Sequence, residues 1–179
     1  MGKDATKMNL GACTLKLDGV DVGYASDVEV TIEEEHELAT PDQVSAPIEV
    51  FEKGASVTVS GKLYQTADMA TLLACILPSA TVAGNKVSLG RAPGARISET
   101  TYTLVVHPDD QGSNTSQDLT VYRAIATGKT TQTYNKDGIR MYDFEFIGLY
   151  DDSRSSGDRL CAFGASSDSD APTRSSTSP

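Results

Sequence analysis

Within residues 26–35 apolar and polar side chains alternate, without a break from Asp27 to Glu33. Val28, Val30 and Ile32 point one way; Asp27, Glu29, Thr31, Glu33 and Glu35 point the other. A period of two marks a strand with one face buried and one in water, which predicts the three aliphatic residues for the core. The pattern recurs at 11–18, where Cys13, Leu15 and Leu17 alternate with Ala12, Thr14 and Lys16. It recurs again at 55–64, with Val57, Val59 and Leu63 opposite Ser56, Thr58, Ser60 and Lys62. Asp18-Gly19 is a hairpin turn dipeptide, followed by a short strand at 20–24. Further strands are predicted at 86–91, 101–107, 119–126, 130–134 and 139–150. The last two flank Asn135-Lys136-Asp137-Gly138, a hairpin loop by composition. In the final strand Tyr142, Phe144 and Phe146 share one face and form the main aromatic part of the core.

The period changes once. Met69, Leu72, Leu73 and Ile76 fall at i, i+3, i+4 and i+7, the stripe of a short amphipathic helix over about 66–77. Thr66 is placed to cap it, Asp68 complements its N-terminal dipole, and Pro78 ends it. Residues 36–53 have no sustained period and include Pro41 and Pro47, so they read as a long loop of the kind that usually has a function. Its apolar members Val44, Ile48, Val50 and Phe51 have no place in open solvent, and an extended hairpin docking on a neighbouring chain would use them. Residues 1–10 read as a polar arm and 151–179 as a serine-rich extension too poor in apolar residues to order itself. Between them, residues 11–150 make one domain, mainly antiparallel β, a sandwich or partly closed barrel with one flanking helix.

Composition bounds the chemistry. At 179 residues with 39% hydrophobic content, there is material for one core. No stretch approaches the length of a membrane span, and the opening MGKDATKMNL lacks the apolar stretch of a secretory signal. Three widely spaced cysteines, Cys13, Cys75 and Cys161, fit free thiols in a reducing compartment better than a disulfide framework or a zinc site. Of the two histidines, His107 stands before Pro108-Asp109-Asp110 and reads as part of a solvated turn. No nucleophile elbow, Walker loop, zinc-protease or EF-hand spacing is present, so neither catalysis nor a metal or cofactor is expected.

The net charge of −10 disfavours tight binding to DNA or anionic lipid. Its distribution says more. No lysine or arginine lies between Lys16 and Lys53, an interval with eleven acids, which leaves 14 acids against 15 bases elsewhere. A strand face with no special task would mix signs, because like charges on neighbouring positions repel. Calcium would want ligands converging from loops rather than spread along a pleat. Two readings stay open for this face: an ordinary solvated sheet surface, and a surface whose uniform sign repels a polyanion.

The order of these features is similar to that of the major tail tube proteins of long-tailed (siphovirus-type) bacteriophages. The opening LGACTLKLDGVDVGYASDVEVTIEEE resembles theirs, with its D-G turn and its Val/Glu strand. There follow a proline-containing loop, a G-x-x-V-x-V strand from Gly54, a helix with Thr66, Asp68, Leu72 and Leu73, and a Y-x-F-x-F strand from Tyr142. The resemblance covers roughly residues 10–150 and nothing of the tail.

It implies a fold shared with the needle tube of type VI secretion: hexameric rings with a continuous inner β-barrel, stacked into a tube that conducts genomic DNA. It also implies a virion-tail location after assembly in the bacterial cytoplasm, and partners among tape-measure, tail-terminator and distal tail proteins. The long loop and terminal arms would make contacts between subunits and rings, and double-stranded DNA would pass without tight binding. Each tilted strand takes roughly 6 Å of barrel circumference. Six subunits with about four strands each therefore leave a bore of ~38 Å, enough for a duplex roughly 20 Å wide, whereas three would leave about 14 Å. In this arrangement Asp27, Glu29, Glu33 and Glu35 face the channel. Thr31, Ser56, Thr58, Ser60 and Lys62 join them there, and Lys62 then needs a carboxylate partner. The alternative from another class is a monomeric β-sandwich binding module, an adhesin or carbohydrate-binding domain, with a discrete aromatic or calcium-lined cleft.

Overall fold

Leu15 and Leu17 are buried while Thr14 before them and Lys16 between them are not, so the alternation at the start of the chain becomes strand β1 (Cys13–Leu17). Asp18 and Gly19, both at positive φ, turn it into the short β2 (Val20–Asp21). The computed structural model describes residues 12–40, 46–64, 69–94, 96–97, 100–132 and 140–164. Two long strands follow, β3 (Ala25–Ala39) and β4 (Glu49–Tyr64), then helix α1 (Met69–Ile76). Thr66 and Asp68, the expected cap and dipole partner, lie outside the described residues, as does the Asn135–Gly138 turn. A small hairpin, β5 (Thr81–Ala83) and β6 (Lys86–Ser88), precedes β7 (Tyr102–Pro108), β8 (Leu119–Ala126), β9 (Met141–Gly148) and β10 (Cys161–Phe163).

Every named pairing is antiparallel. The main sheet runs β2-β1-β7-β8-β9-β4-β3, with β10 on β8 beside β9. Its two ends do not pair, so the sheet is not closed into a barrel. It is a sandwich because the sheet curls over. Leu15 and Leu104 from one half share a single core with Val57, Val59, Phe144 and Phe146 from the other. Leu72 and Ile76 of α1 cover one end of that core, with Leu73 half-buried beside them. The Phe144 and Phe146 rings lie 5.8 Å apart at 51°, a tilted pair favoured by their quadrupoles. At Gly148 a Cβ would collide with the Val57 side chain and crowd Val121, so the crossing of β9 past β8 needs glycine. Cys13, Cys75 and Cys161 are free and half-buried, and burial pushes all three thiols up.

Three expectations are corrected. Residues 36–53 are mostly not loop: β3 runs to Ala39 and β4 begins at Glu49, with those two residues paired. Pairing satisfies the backbone there whatever the side-chain pattern. The polar extension does not start at 151. Residues 151–164 fold onto the sheet through β10, with Leu160 and Cys161 against the core. The Tyr122 hydroxyl donates to Asp158, Arg154 reaches Asp158 at 2.7 Å, and the Arg154 guanidinium stacks 3.5 Å over the Tyr122 ring. Burial, then the bond to Asp158, pushes the Tyr122 phenol up to about 12. His107, finally, is buried rather than solvated.

Candidate assembly edge and acidic face

β3 is the last strand of the main sheet, and no strand among the described residues pairs with its outer edge. Along its fifteen residues the backbone donors and acceptors of every second residue are therefore available on one side, the condition under which sheets associate. Its inner side is fixed to β4 with two irregularities. Between Ser26 and Glu29 β3 carries an extra residue, and Asp27 there takes a left-handed φ of 53°. Between Glu35 and His36 the extra residue, Lys53, lies on β4. Each is a β-bulge, which adds twist and shifts the alternation of faces.

Register then assigns the faces. Glu29 opposes Ser60, Thr31 opposes Thr58, and Glu33 opposes Ser56, all on the polar face. Glu35 opposes Gly54 on the same face. Val30 opposes Val59, and Ile32 opposes Val57, on the other face. Val57 and Val59 are buried by the curled-over half of the sandwich, but that cover stops short of the edge strand. Val28 is half-buried against the core, whereas Val30 and Ile32, expected inside, are 36% and 40% exposed. Beyond the second bulge Leu38 and Val50 form an exposed pair on this same apolar face, and Ile48 is exposed next to them. Phe51, 57% exposed, pairs with Glu37 on the opposite face. Val44 lies outside the described residues.

The polar face continues onto β9, where sequence reasoning stopped. Lys62 opposes Asp143, and Ser60 opposes Glu145. Both acids were readable as the other half of the Tyr142, Phe144, Phe146 alternation. With Asp27, Ser60, Lys62 and Lys129 they line a shallow depression of about 250 Å³. Lys62 has the carboxylate partner it required: its ammonium donates to Asp27 at 2.7 Å. That bond raises the lysine above its ordinary range, with Asp143 adding to the effect. Lys53 is 3.7 Å from Glu37, and His36 3.5 Å from Glu34.

A second cavity, about 310 Å³, opens beneath α1 between the sheet halves and is lined chiefly by aliphatic residues, with Tyr102 and Phe146 as its aromatics. Among the described residues no three His, Cys, Asp or Glu side chains are grouped to hold a metal ion. Among them, too, no helix is long and apolar enough to cross a membrane.

These elements define an antiparallel β-sandwich with a long hairpin along one open edge. No family model and no curated protein matches the chain. Among solved structures it is similar to a chain from the virion of a native gene transfer agent particle, with a TM-score of 0.53 at 13% identity. The superposition covers 88% of this chain and 99% of that one, a likeness of fold along nearly the whole of both.

Proposed function

We propose that this protein is a non-enzymatic structural subunit of a virion, and specifically the repeating subunit of a phage tail tube. The open edge of β3 carries the reading. It offers a free hydrogen-bonding edge, while Val30 and Ile32 leave the apolar face uncovered just where the subunit's own second layer ends. A second copy set beside β3 supplies both a strand and a cover. Such a contact is heterologous, and it closes into a ring when the rotation per subunit divides the circle.

The strands β3, β4, β9 and the end of β8 then supply the four per subunit that a 24-strand inner barrel takes, a bore of ~38 Å. Their apolar side is backed by the sandwich, and the other side, polar apart from Phe51 and Ile147, is turned to the channel. Asp27, Glu29, Glu33, Glu35, Asp143 and Glu145 make that lumen acidic. DNA binds where cations displace its counterions, and on this face carboxylates outnumber the lysines, of which Lys53 and Lys62 are each paired with one. Stacked hexameric rings would pass double-stranded DNA during ejection, in contact with tape-measure, terminator and distal tail proteins of the same virion. The similarity in fold to a chain of a virion particle supports this class of role.

Electron microscopy and light scattering of the purified chain test it. Rings or hollow filaments with a bore near the estimated ~38 Å are expected. A protein that stays monomeric at every concentration, with β3 protected in no state, would overturn the reading.

A further inference from the structure

Lys62 is an anomaly on the proposed channel face. It stands on β4 between β3 and β9, in a depression shared with Asp27, Asp143, Glu145 and a second lysine, Lys129, and a lysine at this position in each of six subunits would place a ring of cations around passing phosphates. Its neighbours dispose of that charge. Asp27 meets the ammonium at 2.7 Å, and Asp143 stands opposite Lys62 on β9. The Asp27 contact depends on the first bulge. The extra residue in β3 sets the backbone of Asp27 at φ 53°, a conformation that non-glycine residues seldom adopt and that Asp and Asn tolerate best. From that point the carboxylate reaches across to β4, although regular pairing gives Lys62 to Ser26.

We infer that Asp27 is a positioning residue that masks Lys62, so that the lysine tethers neighbouring strands of the channel wall without gripping nucleic acid. The inference rests on the tube reading and deepens it: the bulge between Ser26 and Glu29 sets how strongly the lumen holds DNA. An exposed ion pair contributes little to stability, so its value lies in the charge it hides.

The test uses assembled tubes, pelleted with a labelled 20-base-pair duplex in about 50 mM salt. Wild-type tubes should carry down only the duplex in their enclosed volume. Asp27→Asn keeps the left-handed backbone and removes the charge. Asp27→Gly keeps the backbone and removes the side chain, and guards against an amide that still holds the lysine. Both should retain at least about tenfold more duplex, and adding Asp143→Asn should increase retention again. The excess should vanish by about 200 mM salt, as counterion release requires. Adding Lys62→Met should return retention to the wild-type level, a rescue that a merely structural role for Asp27 would not give. Tubes of the Asp27→Gly variant that retain no more duplex than wild type would overturn the inference while leaving the tube reading intact, and so would excess retention that survives Lys62→Met. Failure of the wild-type chain to form any hollow assembly would remove the reading and this inference together.

Discussion

His107 lies between two acceptors. Its Nδ1 is 2.6 Å from the Asp118 carboxylate and its Nε2 is 2.9 Å from the Gly112 carbonyl. A carbonyl only accepts and an ionised carboxylate only accepts, so both ring nitrogens must donate, and the ring that satisfies both is the imidazolium. The bond to Asp118 accordingly raises the His107 pKa above its ordinary value, helped by the Gly112 carbonyl and opposed by burial and, less, by Lys16. The raised folded value sets the sign. The contribution is complete below about pH 6.5, the unfolded value, and is lost as pH rises through the folded one. A hydrogen bond to a charged group is worth roughly 1.5–3 kcal/mol. Urea denaturation of wild type and His107→Gln from pH 6 to 9 should therefore show a stability gap that narrows as pH rises. A gap independent of pH would mean that the ring is neutral. Sequence alone could not find this pair: eleven positions separate His107 from Asp118, and only the loop after β7 brings them together.

The β3–β4 hairpin is where sequence patterning and structure diverge most usefully. Alternation from Val28 to Glu35 was legible because β3 pairs without interruption from Glu29 to Glu35. The faces follow that alternation, but burial does not, because a strand's period says nothing about whether it lies at an edge. Farther out, the extra residue at Lys53 moves even-numbered Val50 onto the face of odd-numbered Val57 and Val59. A period-two search crossing that bulge sees noise and reports a loop. The apolar pair Leu38 and Val50, with Ile48, is then a strand face awaiting a cover rather than the lining of an irregular segment. Glu37 and Phe51 are paired, so residues 38–50 can be replaced by Asn-Gly, a two-residue turn suited to closing a hairpin. The shortened chain should keep its core, because none of the exposed tip residues belongs to it. Circular dichroism and thermal melting should match wild type within a few degrees, while electron microscopy shows no filaments. Filaments of normal length would place the intersubunit contact elsewhere.

At the scale of the whole molecule, the layout of the chain was legible but its boundaries were not. Composition averaged over 151–179 hides the four residues Leu160, Cys161, Ala162 and Phe163, and these, with Arg154 and Asp158 satisfying each other, suffice to close β10 on β8. The regional acidity was legible; that it gathers on one face with Asp143 and Glu145 was not, because β9 joins β4 from more than seventy residues away in the chain. The face acts as a unit, and its sign can be reversed as a unit. Asp27 is a poor place to begin, since it holds a left-handed backbone and is bonded to Lys62. Glu29, Glu33 and Glu145 are the better choice: they lie in regular strand, and no ion pair holds them among the described residues. Changing all three to lysine leaves the β3 edge and the apolar face untouched, so rings should still form. Each subunit then presents three cations to the bore, and a duplex inside meets several at once. Six to ten phosphate contacts make affinity fall about 10³–10⁵-fold between 50 and 200 mM salt. Tubes of the triple variant should hold duplex firmly at the lower salt and release it at the higher, whereas wild-type tubes should be indifferent to both. Because screening confines surface fields to about 10 Å at 0.1 M salt, only a face turned toward the duplex can produce that difference. Equal retention by wild type and variant would mean that these carboxylates face away from the bore, and the channel would have to be lined by another part of the sheet.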